Sequence, residues 1–446
     1  MRLVVDRQQL NTMDGRPAVL PVLVCFRLLL AVLPLPGQHL LKHDHQINSP
    51  LTSYLRLKEG LWMLDNNVDP YMGGSFHHSP LLLSVFSTIL PPIPIIWAVS
   101  DAVGAWALLR IWRARQGLSL HKATTSTAES LIVSAYVSSQ RVKYASNQPS
   151  SCLLNPYLLF PSLALSTSTF ENSFTLLALM FASEGKPSSA LLAIAFTIHL
   201  SPYSILLLLP ILMLLITSPT SQLASPRPFH GSINRIASLF GEFMLYWLVL
   251  VGAACIITDG SWSWMKASWG ASLTLPDLTP NPGLWWYFFT EMFDHFRPFF
   301  LMVFSVHLVI YILPICIKFQ HDPLYAAFLL IGVLGTFKAY LTLADPGLFL
   351  SMISLFPEVH GYLRHPIVTT LLHLHAAFLL PLQHVLWVSE GRGNANFYYA
   401  ASLVMGMAGG AGLVDACWAG MRIALGDVKV ELEGKGQVAR WEVAQE

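Results

Sequence analysis

The sequence predicts an all-α polytopic membrane protein, a multi-helix bundle of roughly ten to thirteen transmembrane segments. Three observations carry that prediction. Hydrophobic residues make up 54% of the 446 residues and charged residues only 11%, against about 25% charged in a soluble domain. The mean hydropathy is +0.54. Apolar runs recur from end to end, with no composition break that would mark a second domain. Residues 1–446 therefore read as one membrane domain.

The first apolar run, residues 17–35, is long enough to cross a hydrocarbon core of about 30 Å at 1.5 Å per residue. No small-residue cleavage site follows it, so it reads as a first spanning helix and not as a removed signal peptide. Arg27 lies within it and is expected to face protein or water. Further runs fall near 80–90, 92–110, 151–167, 171–183, 187–200, 203–217, 236–257, 299–318, 324–343, 346–357, 366–388 and 397–423. Several are short or broken by proline, as at Leu90-Pro91-Pro92, which suits half-helices and tilted pairs. Asp101 and Lys338 fall inside apolar runs. Each is either functional or an interfacial, snorkelling charge.

Segment 110–150 collects Arg110, Arg113, Arg115, Lys122, Arg141 and Lys143 against Glu129 and reads as a basic cytosolic loop. Segments 36–79 and 260–298 then fall on the far side. Residues 424–446 form a polar tail of mixed charge. In 36–79, Leu55, Leu57, Leu61, Trp62 and Leu64 are expected on one face of a short helix lying on the membrane. Asp69-Pro70 and Gly73-Gly74 turn the chain, and Pro80 opens the next helix.

A net charge of +1 recruits no nucleic acid. Five scattered cysteines without a CxxC pair point to buried free thiols and not to disulfides or zinc. Asp65, Asp69, His77 and His78 could gather as a polar or metal-binding site, yet no Asp-x-Asp pair is present. Their other reading is capping and turn bonding. Neither a metal nor a cofactor is expected. Segment 260–298 is rich in tryptophan, which reads as an interfacial belt or as a platform for a lipid headgroup. Glu291, Asp294 and His295 would share a helix face there. Asn394 and Asn396, two residues apart, could present paired amides to sugar hydroxyls or phosphate oxygens. Equally, they could form an ordinary turn and helix cap.

The segments SPLTSYLRLKEGLWMLDNNVDPYMGGSFHHSPLL, LLNPY at 153–157, WYFFTEMFDHF at 286–296 and GNANFYYA at 393–400 resemble the PIG-U family, the U subunits of the glycosylphosphatidylinositol (GPI) transamidase, in a fungal-type form. The resemblance implies a multi-pass subunit of the endoplasmic reticulum membrane. It implies partners: other transamidase subunits including a caspase-like protease that holds the catalytic cysteine, the GPI lipid, and a precursor protein with a C-terminal GPI signal. It implies no catalytic residue here and a non-catalytic role in recognising and presenting the lipid. It places Asn394, Asn396, Trp285, Phe293 and His78 at the lipid. It further implies a likeness to the membrane (GT-C-like) mannosyltransferases, through the run Pro70-Tyr71 to His78-Ser79-Pro80-Leu81-Leu82. Two other functions stay open: a dolichol-phosphate-mannose-dependent mannosyltransferase using Asp65 and Asp69, and a lipid transporter or scramblase using Asp101 and Lys338.

Overall fold

In the computed structural model the described residues are 19–33, 37–88, 93–117, 155–229 and 231–426. All their regular structure is helical. Most of the basic loop, Cys152 and nearly all of the polar tail lie outside them. The chain runs α1 (Val19–Val32), α2 (Gln38–His43), α3 (Tyr54–Asp65), α4 (Pro80–Thr88), α5 (Ile93–Arg115), α6 (Pro156–Leu163), α7 (Ser168–Ser183) and α8 (Pro187–Leu200). Then follow α9 (Leu208–Leu214), α10 (Ile233–Ile257), α11 (Trp285–Glu291), α12 (Arg297–Val309), α13 (Ile312–Lys318), α14 (Pro323–Phe337), α15 (Ala344–Met352), α16 (Pro366–His384) and α17 (Ala395–Leu425).

Helix starts follow local chemistry. Proline opens α4, α6, α8, α14 and α16, where its missing N–H is no loss and its φ is already helical. Asn155 and Asp322 cap α6 and α14 by accepting the amides of Tyr157 and Tyr325, which satisfies donors with no partner inside the helix.

Among the described residues five helices are long and apolar enough to cross a membrane, and five more apolar helices are shorter, of 10–17 residues. The long helices are fewer than the ten to thirteen spans expected. Proline and polar junctions cut many of the apolar runs into pieces below spanning length.

The core gathers around α14, which is buried along almost its whole length. It packs on α15, α17 and α9, while α5 packs on α7 and α1, α8 on α7 and α10, and α16 along α17. Small residues permit the approach, as usual between membrane helices. A Cβ on Gly335 would lie 3.1 Å from the Asp345 carbonyl oxygen, and one on Gly420 would lie 2.4 Å from the Tyr325 ring. The outer faces of α10, α12, α13 and α16 expose large apolar side chains such as Leu248, Val306, Leu313 and Phe378, a surface suited to lipid.

Among the described residues, the buried cations of this core are paired, while the buried Asp415 accepts the backbone amides of Arg364 and His365. Arg27 faces Asp101 at 2.6 Å, with side-chain exposures of 4% and 3%, so the charge in the first helix faces protein as expected. Lys338 Nζ lies 3.1 Å from Glu171 and 3.0 Å from Asp345; neither it nor Asp101 reaches the surface. Arg115, fully buried, forks onto both carboxylate oxygens of Asp322 at 3.1 and 2.9 Å. It also reaches Glu358 at 2.7 Å and Ser221 at 3.2 Å, and stacks over Phe356.

Two expectations need correction. The described cysteines are free, but only Cys316 is buried; Cys25 faces outward. The five apolar residues of α3 do not share a face either. Leu57 and Leu61 turn inward against Phe76, while Trp62 and Leu64 are exposed, because positions 61, 62 and 64 fan out at 3.6 residues per turn.

Arg115→Leu is expected to destabilise the protein by about 3–5 kcal/mol, since it leaves the buried Asp322 carboxylate without its cation. Arg115→Lys should recover little of this, because an ammonium cannot fork. Thermal unfolding of both variants in detergent checks the prediction.

Candidate functional site

The residues singled out in the sequence fall into two places. The first lies where α11, the end of α16 and the start of α17 meet. α11 begins at Trp285 and stops at Glu291, because Met292 is extended (ψ 154°). Glu291, Asp294 and His295 therefore do not share a helix face; the chain turns between them into a short 3-10 turn.

Trp285 is 3% exposed, lies against Phe289 and Phe304, and donates its indole N–H to the Phe337 carbonyl at 2.8 Å. It is a wall of the core. Trp286 is equally buried and is surrounded by Tyr287, Tyr398, Tyr399 and Trp387. Trp387 reaches it because α16 ends in a wide π turn, Val385–Ser389.

Tyr287 stacks on Tyr399, with ring centroids 4.6 Å apart, and donates its hydroxyl to Asn396 Oδ1. Tyr399 donates in turn to the Leu284 carbonyl at 3.1 Å. Asn394 is the N-cap of α17 and accepts the Phe397 amide at 3.2 Å. Both asparagines are exposed. They do not sit on one extended turn: Asn394 has extended backbone and Asn396 lies in the first helical turn. Their amide NH2 groups remain free to donate outward. Phe293 is 72% exposed on the connection after α11.

The second place is the 36–79 loop. His78 is 3% exposed and its Nε2 donates to the Ser53 carbonyl at 2.9 Å. His77 Nδ1 meets the Ala267 carbonyl at 2.6 Å. A Cβ on Gly60 would lie 2.2 Å from the Phe76 ring, so that glycine lets the connection lie flat on α3. Asp65 and Asp69 are exposed, and Asp69 accepts the Tyr71 amide at 2.9 Å as a turn. The two acids thus face out while the two histidines face in. No group of three metal-ligating side chains forms among the described residues. Arg56 fastens the loop to the far segment, bonding Asp277 at 2.6 Å and the Ser75 carbonyl at 2.8 Å.

A family profile described as "GPI transamidase subunit PIG-U" matches residues 21–405. The chain belongs to the PIG-U family. It is 34% identical to the GPI transamidase component GAB1 of Saccharomyces cerevisiae over 390 residues, 86% of this chain and 89% of the relative. It is 33% identical to the GAB1 homolog of Schizosaccharomyces pombe over 370 residues, 81% and 83% of the two chains. With the GPI-anchor transamidase component PIGU of Homo sapiens it shares 29% over 374 residues, 80% and 83%.

In this PIG-U chain the exposed Asn396 amide sits on an aromatic base through Tyr287, with Asn394 beside it at the start of α17 and the exposed Phe293 on the connection after α11. Such a surface can donate hydrogen bonds to sugar or phosphate oxygens while an apolar edge meets acyl chains. Sequence reading did not assign Tyr287, Tyr399 or Trp387 to it. The available signal was an aromatic run beside the amides (Phe397-Tyr398-Tyr399) and a second one in WYFF, each without an evident partner.

Burial pushes the His78 imidazole down to about 4, from an ordinary 6.5. The folded loop therefore keeps His78 neutral, and the unfolded chain takes up a proton first as pH falls. Stability tied to this group is complete above pH 6.5 and is lost between pH 6.5 and about 4, by about 3 kcal/mol in all. His78→Gln should flatten that part of the pH profile, read by chemical unfolding at a series of pH values.

Proposed function

We propose that this chain is a non-catalytic subunit of a GPI transamidase in the endoplasmic reticulum membrane, and that it recognises and presents the GPI lipid. The observation that carries the reading is the pair Asn394 and Asn396. Both amides are exposed, and both are held in place: one caps α17 and the other accepts the Tyr287 hydroxyl. Polar donors fixed before the ligand arrives lose little entropy on binding. The 36–79 and 260–298 segments are then lumenal. The lipid headgroup lies over Asn394 and Asn396, and the acyl chains lie along the exposed apolar side chains near Phe293. Trp285 and His78, being buried, act as supports. The proposed partners are a caspase-like protease subunit carrying the catalytic cysteine, the other transamidase subunits, and a precursor protein with a C-terminal GPI signal. The GT-C-like architecture belongs to the same reading, supported by the run from Pro70 to Leu82 that leads into α4.

The alternatives draw less support. Asp65 and Asp69 point away from the interior, which disfavours their use in sugar transfer. Asp101 and Lys338 are consumed by ion pairs, as structural charges are.

Asn394→Ala and Asn396→Ala are each expected to lower attachment of GPI to a reporter about fivefold, the equivalent of one hydrogen bond of about 1 kcal/mol. The double variant should be lower still. Surface display of the reporter gives the attachment, and co-purification of the complex should be unchanged. Normal display from the double variant would sink the reading.

A further inference from the structure

A polar chamber lies between the 66–79 connection, the first turn of α7 and the α14–α15 junction. It consists of two adjoining cavities that share Glu171, Ser201 and Lys338 in their walls. Each has room for roughly one or two water-sized groups, so a sugar ring does not fit. Among the described residues, the charged side chains lining it are Glu171, Lys338 and Asp345. One ammonium faces two carboxylates, leaving an excess of one negative charge in a buried place, where an uncompensated charge is costly.

Glu171 Oε1, His77 Nε2 and Ser268 Oγ are acceptors in the chamber, beside the hydroxyls of Ser201 and Ser204, which can donate or accept. Asp345 Oδ2 is occupied by the amide and hydroxyl of Thr342. Glu171 meets Lys338 through Oε2, and its Oε1 receives no hydrogen bond among the described residues. His77 is 5% exposed and lines the chamber. The Ala267 carbonyl opposite its Nδ1 can only accept, so Nδ1 carries the hydrogen and Nε2 keeps its lone pair. That buried Nε2 has no partner. Burial holds the ring below its ordinary range, so it is neutral at pH 7. Ser268 spends its proton on the Trp264 carbonyl and turns a further acceptor to the chamber.

The charge excludes an anion, and water leaves the charge uncompensated. Hard cations such as sodium favour oxygen over an imidazole nitrogen. A primary ammonium brings one positive charge and three N–H donors in a volume close to that of water. We propose that this chamber binds a primary ammonium group, with Glu171 Oε1 and His77 Nε2 as its acceptors. The ammonium can come from a free amine or from the headgroup of an aminophospholipid.

The test uses the full-length chain in lipid nanodiscs, with thermal unfolding as readout. Ethanolamine hydrochloride is titrated in phosphatidylcholine discs against choline chloride, a quaternary cation without N–H donors, at equal ionic strength. The unfolding temperature is also compared between phosphatidylcholine and phosphatidylethanolamine discs. A saturable rise with ethanolamine but not choline assigns a site open to free amines. A rise only in phosphatidylethanolamine discs assigns the lipid headgroup. In either case Glu171→Gln and His77→Phe should each weaken the response about tenfold or more, as expected when a buried charged or hydrogen-bonded partner is removed. His77→Phe keeps the test standing should Glu171→Gln fail to fold. Equal responses to choline, unchanged responses in the variants, or no response to either amine source would overturn the proposal.

Discussion

The structure depends on α14 being held at both ends by buried cations. At its N-terminus the capping carboxylate of Asp322 receives the Arg115 fork while also accepting the Tyr325 amide. At its C-terminus Lys338 draws in Glu171 from α7 and Asp345 from α15. The helix between is apolar and almost wholly buried, so packing alone leaves its height along the bundle loosely specified. Directional charges fix it. Once α14 is fixed, α15 and α17 follow through their glycine contacts. Trp285 then follows too, since its indole bonds the last turn of α14 at Phe337. The aromatic base under the two asparagines is thus referenced to the same spine as the core.

This chain of dependence divides the candidate surface into two kinds of residue. Trp285, Trp286 and Tyr398 are interior and set the position of α11 against α17. Asn394, Asn396 and Phe293 stand at the surface. Tyr287 belongs to both, stacked on Tyr399 on one side and bonded to Asn396 on the other. Polar groups ordered by folding in this way lose little entropy when they take up a partner.

Much of the helical layout was legible. The run 187–200 coincides with α8, and the run from 366 opens on the proline that starts α16, since apolar length and proline position are local signals. That Arg27 avoids lipid also followed from its place inside an apolar run, although protein and water were both open as its surroundings. Its partner did not: Asp101 lies on α5, far along the chain, and pairing across a bundle leaves no spacing in the sequence. The 36–79 loop left two readings open, and turn bonding fits Asp69, which accepts the Tyr71 amide. Asp65, Asp69, His77 and His78 are neighbours in sequence, but turns at Asp69 and at Gly74, which adopts φ 75°, send the acids outward and the imidazoles inward. The break at Met292 was likewise hidden, because the segment around it carries no proline or glycine to mark it.

The π turn at the end of α16 has a consequence for how this region can vary. The turn places one residue more than a regular helix would between His384 and the segment that follows, and it brings Trp387 onto Trp286 with rings nearly parallel at 19°. Gly393 closes against the Trp387 backbone, where a Cβ would lie 3.3 Å away. Deleting a single residue from Val385–Ser389 would restore regular α geometry and leave the segment beyond it close to its present orientation, because five residues of π turn and four of α-helix sweep nearly the same angle. What such a deletion would lose is the placement of Trp387 on Trp286, which the extra residue supplies. The length of this turn is therefore tied to one aromatic contact and not to the direction of the chain beyond it.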